Sequence, residues 1–268
     1  MLRLPAVAGQ FYPGNPKELS AVIERYTKQN GQTKVKARAC LVPHAGYMYS
    51  GPVAGTVFAR LELPKKIVVL GVRHYPRGEA LAILSEGAWR TPLGDIPIDT
   101  PLAMALRNAC PLLREDGVAH SREHSLEVEL PFLQALTPGF SFVPVAIGTL
   151  QYEHLKETGE GIARVLEQAQ EDILIVTSSD MNHYEEDELT RCKDSKAIEC
   201  MLKLDPAALY DTCRREGISM CGLGPAVTML TAMNLLGVSK AELVRYATSG
   251  DVSGNRDEVV GYAGMIFG

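Results

Sequence analysis

The sequence lacks the features that mark most membrane-bound and nucleic-acid-binding proteins. Its longest apolar runs are too short to span a bilayer, and the first residues lack the apolar stretch of a signal peptide. Lys and Arg form no dense block, and the net charge is −5, which makes nucleic acid and anionic membranes poor partners. We therefore expect a cytoplasmic protein that binds neither nucleic acid nor membrane.

Short motifs of several cofactor and hydrolase classes are also absent. None of the six cysteines forms a C-x-x-C pair, which argues against a zinc ribbon or a thioredoxin-type site. No G-x-G-x-x-G follows a strand and no Walker A motif is present, so dinucleotide and P-loop sites have no support. No G-x-S-x-G elbow surrounds Ser178-Ser179-Asp180, so a Ser/His/Asp hydrolase has no support either.

What the sequence does contain indicates one folded α/β domain. Hydrophobic residues make up 46% and charged residues 22% of the 268-residue chain, as in ordinary soluble globular proteins. Short β-branched runs alternate with helical patterns, which favours βαβ units. We predict a single domain over residues 1–268 in three layers, with helices on both faces of a mainly parallel sheet.

The periodicity also places the individual elements. We predict strands at residues 39–42, 67–70, 81–84, 140–147, 172–177, 243–247 and 259–266. The main helices are predicted at residues 16–30, 53–61, 100–109, 152–167, 187–203, 206–216 and 226–236. The segment 89–95, which contains Pro92 and Gly94, is predicted to be rich in turns.

Three histidines follow predicted buried strands within a few residues. They are His44, His74 and His183. Because ligand sites in open α/β sheets form beyond the carboxyl ends of the strands, we expect these imidazoles to meet. Neutral imidazoles that converge leave acceptor nitrogens unpaired, and a metal ion satisfies them. Two histidines with one anionic ligand are typical of non-haem Fe(II) sites and of catalytic zinc sites.

The residues by themselves leave the anionic ligand open. Asp180, Glu127 and a thiolate are the candidates. Among the cysteines, Cys221 has the most suggestive surroundings, because it precedes Gly222 at the start of a predicted helix. A helix start lowers the pKa of a thiol, and a glycine beside it permits close approach to a ligand.

A series of short motifs runs along nearly the whole chain in a fixed order. They are Ala8-Gly9-Gln10-Phe11-Tyr12-Pro13, Pro43-His44-Ala45-Gly46-Tyr47, Gly71-Val72-Arg73-His74, Trp89-Arg90-Thr91-Pro92-Leu93-Gly94, Glu123-His124-Ser125-Leu126-Glu127, Ser178-Ser179-Asp180 and Cys221-Gly222. With these motifs the chain resembles the Memo family (mediator of ErbB2-driven cell motility) and its prokaryotic relatives. That family is similar to the class III extradiol dioxygenases, which cleave catechol rings with non-haem Fe(II).

The resemblance implies an α/β fold of the dioxygenase type with a pocket at one edge of the sheet. Carried over by position, His44 and His74 match the two metal-binding histidines, and Cys221 matches the third ligand position, where extradiol enzymes have a glutamate. The pocket histidine that acts as acid/base matches His183.

The two remaining residues of the implied site are His124 and Asp180. Both fall at other pocket positions of the family, where they would orient His183. Together with His183 they are the candidate catalytic residues.

Two features of this site depart from a ring-cleaving dioxygenase. The chain has Arg73 directly before His74, where the family usually has Asn or Ser, and an arginine there disfavours a cation or attracts an anionic substrate. Cys221 replaces a hard carboxylate by a soft sulfur, which favours copper, zinc or iron in a sulfur ligand field. We therefore expect iron or copper, with zinc as a further candidate, and ring cleavage does not carry over with the fold.

Two functions are consistent with these residues. The first is a metal-dependent redox enzyme that acts on an unknown small molecule; the family's prokaryotic members tend to be encoded beside a radical-SAM protein, which implies a shared pathway. The second is a binding module that uses the same pocket to hold a peptide or ligand without turnover, as the signalling role of the eukaryotic members implies.

Overall fold

The structure, a computed structural model, describes residues 1–28 and 33–268, so the end of the helix predicted at residues 16–30 lies outside the described residues. The strands of this part of the chain are β1 Leu2–Arg3, β2 Ala39–Val42, β3 Lys66–Val72, β4 Leu81–Ile83, β5 Ala88–Thr91, β6 Gly94–Pro97, β7 Arg114–Glu115, β8 Ser141–Ile147, β9 Ile173–Ser178, β10 His183–Glu185, β11 Ala241–Thr248 and β12 Val259–Phe267. Its helices are α1 Pro16–Thr27, α2 Tyr47–Arg60, α3 Thr100–Ala109, α4 Gly117–His120, α5 Leu130–Leu136, α6 Tyr152–Gln168, α7 Asp187–Leu202, α8 Pro206–Glu216, α9 Leu223–Leu235 and α10 Gly250–Ser253. A 3₁₀ turn, Glu127–Glu129, leads into α5.

The main sheet has a parallel centre and antiparallel flanks. Its order is β10-β12-β2-β9-β3-β8-β4-β7, and β11 also pairs with β12. Strands β2, β9, β3 and β8 run parallel, whereas β12 is antiparallel to β2, β10 and β11, and β4 is antiparallel to β8. The predicted mainly parallel sheet is therefore correct for the centre, whereas both flanks contain antiparallel pairs, although β7 at one edge is again parallel to β4. The connection from Thr248 to Val259 is shorter than the dozen or so residues of a parallel crossover, so β11 and β12 pair antiparallel.

A second, smaller sheet contains the segment that was predicted to be rich in turns. Strands β5 and β6 form an antiparallel hairpin, and β1 pairs parallel with β5. The turn residues Pro92 and Leu93 occupy only the tip of the hairpin, where Gly94 has a φ of 122°. The side chains of Trp89 and Ile96 are buried, which is why this segment pairs as strands despite its turn residues.

Helices cover both faces of the main sheet. On one face α9 packs against β2, β3 and β9 and is itself covered by α6 and α8, while on the other face α2 packs against β2, β11 and β12 beside α1 and α5. Every residue of α9 from Leu223 to Met233 is buried, as expected of a helix that lies between two layers. The chain is thus one mixed α/β domain. Among the helices of residues 1–28 and 33–268, none combines the length and the apolar character needed to cross a membrane.

The parallel centre brings three chain segments to the same edge of the sheet. Val42 at the end of β2 lies opposite Ser178 at the end of β9, and Leu70 near the end of β3 lies opposite Thr177. Segments that leave these strands therefore emerge side by side. They carry His44, His74 and Asp180.

Candidate metal centre

His44 lies just beyond β2, with both ring nitrogens in defined contacts. Its Nδ1 lies 2.7 Å from Ser178 Oγ, and its Nε2 lies 3.4 Å from Cys221 Sγ. The backbone N–H of His44 donates to Asp180 Oδ1 at 2.8 Å, so the segment after β9 fixes the main chain as well as the ring. Because Ser178 occupies Nδ1, Nε2 is the nitrogen that faces the pocket.

His74 follows β3 and is held by the buried carboxylate of Glu123. Its Nδ1 lies 2.8 Å from Glu123 Oε1, and its backbone N–H donates to Oε2 at 2.6 Å. Burial opposes ionisation of Glu123, but the hydrogen bond from His74 prevails and lowers its pKa to about 2. A carboxylate that holds one nitrogen of an imidazole and leaves the other free is the usual support of a metal-binding histidine.

Cys221 occupies the turn that leads into α9. The backbone N–H of Asp180 donates to Cys221 Sγ at 3.2 Å. Burial, reinforced by the charge of Asp180, raises the pKa of this thiol well above its usual range. The expectation that the helix start lowers the thiol pKa is therefore wrong, because desolvation outweighs the effect of the helix. A cation beside the sulfur would reverse the balance, since metal binding stabilises the thiolate.

The donor atoms of His44, His74 and Cys221 converge. All of them lie within 4.8 Å of one another, and the two imidazole centroids are 5.2 Å apart. They line a cavity of about 500 Å³ whose wall also contains His124, Asp180 and His183. The structure therefore brings together in one pocket every residue that the family resemblance assigned to the site.

His124 adds a third imidazole to this cluster. Its ring stacks on His74 with centroids 4.5 Å apart and lies 5.5 Å from the ring of His44. Burial lowers the pKa of His124 to about 4, and burial together with the neighbouring histidines lowers that of His44 well below its usual value. Both rings are therefore neutral at pH 7 and carry a lone pair that a metal ion or a proton donor can use.

The structure gives His183 a different support from the one expected. Its Nδ1 lies 3.0 Å from the carbonyl oxygen of Ser219, and its backbone N–H donates to Ser219 Oγ at 2.8 Å. Ser219, rather than Asp180 or His124, therefore orients this ring. Burial lowers the pKa of His183, so at neutral pH the ring is a proton acceptor.

The carboxylate of Asp180 accepts hydrogen bonds from the loop around His44 and does not orient the ring of His183. Its Oδ1 accepts from the backbone N–H groups of His44 and Ala45, at 2.8 Å and 3.3 Å. Burial raises its pKa to about 7, although these hydrogen bonds act in the opposite direction. The carboxyl group thus exchanges its proton close to neutral pH, which suits a general acid or base at the cavity wall.

Glu127, one of the three candidates for the anionic ligand, is not among the residues that line the cavity. It forms a buried ion pair with Arg3, accepts from Tyr12 Oη at 2.6 Å, and accepts from the N–H groups of Ala6 and Val7 at 2.8 Å and 3.1 Å. These four contacts occupy the carboxylate and fix the N-terminal segment. That candidate assignment is therefore wrong.

Arg73 also lies away from the donors, although it precedes His74 in sequence. Its Nη1 donates to the carbonyl of Gly78, and its guanidinium packs so closely on Gly148 that a Cβ there would lie 2.3 Å from Nε. The side chain is not part of the cavity lining. The expected repulsion of a cation by Arg73 therefore loses its structural basis, because Gly78 and Gly148 hold the guanidinium outside the cavity lining.

Two supporting residues, Ser178 and Glu123, were missed as partners of the histidines. The sequence signal for Glu123 was its position beside His124, and that for Ser178 was its place at the end of a buried strand. Neither position indicates which ring the side chain contacts. The loop that carries Glu123 can reach His74 because it lies directly against β3 at Gly71. A Cβ at Gly71 would lie 2.6 Å from Ser125 Oγ and from Leu126, so only glycine permits this packing.

Gly222 is expected to be essential for placing Cys221. A Cβ at this position would lie 2.3 Å from the Cβ of Ser179, so Gly222→Ala should push the turn away from β9 and cost roughly 1–3 kcal/mol of stability. We expect weaker metal binding together with a lower denaturation midpoint, measured by metal titration and urea unfolding. Gly117→Ala is the matched control, because its Cβ would meet its nearest atom only at 3.8 Å. Wild-type behaviour of Gly222→Ala would contradict the close approach.

Comparison with solved structures identifies a similar fold. An uncharacterised protein of Escherichia coli K12 superposes with a TM-score of 0.55 over 85% of this chain and 98% of its own, at 14% sequence identity. Identity this low supports the shared architecture alone.

Sequence comparison gives much closer relatives. MEMO1 family proteins of Methanopyrus kandleri and Aquifex aeolicus are 42% and 41% identical to this chain, over 100% and 99% of its length and 99% of theirs. A MEMO1 family protein of Methanocaldococcus jannaschii is 39% identical over 99% of this chain and 98% of its own. The family model described as Memo-like protein matches residues 3–266. The resemblance found in the sequence motifs is confirmed, and the chain belongs to the Memo family.

Proposed function

We propose that the pocket binds a redox metal, iron or copper, through His44, His74 and Cys221, and that the protein is a metal-dependent oxidoreductase acting on a small molecule. The observation that carries this proposal is the convergence of the three donor groups within 4.8 Å. Ser178 and Glu123 engage the Nδ1 atoms of the two histidines, so their remaining nitrogens suit a cation. A bound metal ion would supply Lewis-acid and redox chemistry.

The sulfur donor supports a particular choice of metal. A thiolate with two imidazoles suits copper, iron or zinc better than a hard ion such as Mg²⁺. The proposed relationship to class III extradiol dioxygenases concerns the scaffold and the pocket position. Because Cys221 replaces the carboxylate of a ring-cleaving site, the proposed activity is a redox reaction other than catechol ring cleavage.

The protein's own proton-transfer groups stand around the cavity. Ser219 engages Nδ1 of His183, which leaves the lone pair of the neutral ring on Nε2, and His183 acts as the proton acceptor from a bound substrate. Asp180, with its pKa raised to about 7 by burial, returns or takes up a proton at neutral pH. His124 stacks on His74 and offers a second neutral imidazole to a polar group of the substrate.

A binding module that uses the same pocket is the second candidate. It is favoured by Tyr184, which is 73% exposed and lines the cavity together with Phe11 and Tyr262. An exposed aromatic ring at a pocket entrance suits a peptide or a planar ligand. In this function the imidazoles and Cys221 would hold the ligand without turnover.

The cellular setting is proposed on chemical grounds. All six cysteines are free thiols, which is consistent with the reducing cytoplasm. A pathway shared with a radical-SAM protein, which the family resemblance implies, would supply or consume the small molecule. The partner in the pocket is then this small molecule, or a peptide if the protein is a binding module.

Turnover by metal-loaded protein distinguishes the proposed enzyme from the proposed binding module. Protein purified without oxygen and loaded with Fe²⁺ or Cu⁺ should consume oxygen with a redox-active small molecule from a panel of phenols, catechols and thiols. His183→Ala should keep the metal and lose turnover by roughly 10²–10⁴-fold, the usual effect of removing a general base. Loaded protein that binds panel compounds tightly and leaves them unchanged would favour the binding module.

Metal binding should release protons. Because burial keeps Cys221 as a thiol and a metal ion requires the thiolate, binding near pH 7 should release about one proton per ion. The affinity should accordingly rise about tenfold per pH unit below the thiol pKa. Calorimetric titration in buffers of different ionisation enthalpy measures the number of protons. Binding without proton release would show that Cys221 is not a ligand.

A further inference from the structure

A buried carboxyl group with an incomplete set of partners lies behind the metal site. Glu129, at the end of the 3₁₀ turn, is 0% exposed. Its Oε1 lies 3.0 Å from Ser178 Oγ, whereas its Oε2 finds no hydrogen-bond partner among the described residues. Neither the proposed metal ligands nor the proposed proton-transfer groups include this residue.

Ser178 connects Glu129 to His44. Its hydroxyl oxygen lies 2.7 Å from His44 Nδ1, 2.7 Å from the carbonyl of Ser125 and 3.0 Å from Glu129 Oε1. A serine hydroxyl has one hydrogen to donate and can accept two hydrogen bonds. The three contacts therefore use its full capacity.

Counting the hydrogens fixes the direction of each bond. The carbonyl of Ser125 can only accept, so the Ser178 hydroxyl donates to it. The two remaining contacts are then donated to Ser178, one by Nδ1–H of His44 and one by a protonated Glu129. Burial raises the pKa of Glu129 well above its usual value, which agrees with this assignment.

We propose that Glu129 is a positioning residue of the metal centre, which acts on His44 through the Ser178 hydroxyl. Because Glu129 donates a hydrogen bond to Ser178, the Ser178 hydroxyl continues to donate to the carbonyl of Ser125 and to accept from Nδ1–H of His44. The proton of the neutral ring stays on Nδ1, and the lone pair of Nε2 faces Cys221 at 3.4 Å. This is the tautomer that a metal ion at Nε2 requires.

The opposite arrangement shows why Glu129 matters. Without a donor at this position, the Ser178 hydroxyl is free to rotate and donate to His44 Nδ1. The ring would then carry its proton on Nε2, and that proton would occupy the position of the metal ion. Partners of this kind typically contribute roughly 10–100-fold to metal affinity.

The test compares two replacements of nearly the same size, with Co²⁺ alone as the probe. Glu129→Gln retains an N–H donor and should bind Co²⁺ within about threefold of the parent, whereas Glu129→Leu should bind roughly 10–100-fold more weakly. The visible absorption of Co²⁺ bound to a thiolate reports the affinity and the ligand set. Equal affinity of Glu129→Leu and the parent would overturn the proposal.

A double-mutant cycle separates positioning from a merely structural role. In the Ser178→Ala background, Glu129→Leu should change the Co²⁺ affinity by less than about twofold, because the connection to His44 is already missing. An equally large loss in that background would show that Glu129 acts by another route. Urea unfolding of each metal-free variant controls for loss of fold.

The parent protein itself provides a measurement that needs no variant. Nitrogen NMR of the metal-free parent should show His44 as the Nδ1–H tautomer, and the Nε2–H tautomer would overturn the proposal even if Glu129→Leu fails to fold. The inference rests on the proposed metal site, but the two can fail separately. A parent that does not bind Co²⁺ refutes the metal site, whereas a parent and a Glu129→Leu variant that bind it equally well refute only the role of Glu129.

Discussion

Replacing Cys221 by alanine should weaken the binding of Fe²⁺ or Co²⁺ by more than about a hundredfold. Structural zinc sites with thiolate and imidazole ligands bind with roughly 10–16 kcal/mol, and in a site of comparable strength the loss of one ligand among three or four removes about 3 kcal/mol. Two further effects act in the same direction. The substitution leaves His44 Nε2 without the sulfur at 3.4 Å, and it removes the only anionic donor of the proposed ligand set.

The control for this experiment is a cysteine outside the pocket. Cys213 is 2% exposed and lies on α8, so Cys213→Ala removes a buried thiol without changing the donor set. We expect it to bind metal like the parent while losing a comparable amount of stability. Affinities are measured by titration against a competing chelator without oxygen. If Cys221→Ala binds as tightly as Cys213→Ala, Cys221 is not a ligand.

Replacing Glu127 by leucine should destabilise the protein by about 3–5 kcal/mol, the usual cost of leaving a buried charge unpaired. Arg3, at 7% exposure, would lose its carboxylate partner. Two backbone N–H groups and the hydroxyl of Tyr12 would lose their acceptor at the same time. The free energy of unfolding is measured by urea denaturation at pH 7.

A second substitution tests whether the unpaired charge causes this loss. Arg3→Met combined with Glu127→Leu removes both charges, and it should recover much of the stability because an apolar pair often replaces a buried ion pair without cost. The guanidinium also lies 4.1 Å from the Trp89 ring, so methionine keeps an apolar side chain over that ring. Equal destabilisation of the single and double variants would show that the ion pair is not the cause.

The central strands were predictable because their apolar runs are short, β-branched and completely buried. Strand β2 has the predicted bounds, and β9 differs by one residue at each end. The start of α2 was not predictable, since Pro52 was expected to precede the helix. The helix in fact begins at Tyr47 and includes Pro52. A proline lacks the N–H that an interior helix position uses, but tertiary packing of the surrounding turn compensates for it.

The site was predictable as a set of residues but not as a network. Histidines at strand ends and the family motifs identified the donors, because the ends of parallel strands must share one edge of the sheet. Which side chain supports each imidazole depends on rotamers and on loop positions that no spacing encodes. Ser219 as the partner of His183 is an example, since the two are 36 residues apart.

The central claim is that a metal ion binds between His44, His74 and Cys221, and anomalous X-ray scattering tests it most directly. Crystals of protein purified without oxygen and loaded with iron should be measured above and below the iron absorption edge. We predict a single strong anomalous peak within bonding distance of an imidazole nitrogen of His44 and of His74 and of the sulfur of Cys221. A peak at Glu123 and His124 instead, or loaded protein with no peak in this cavity, would contradict the proposed metal centre.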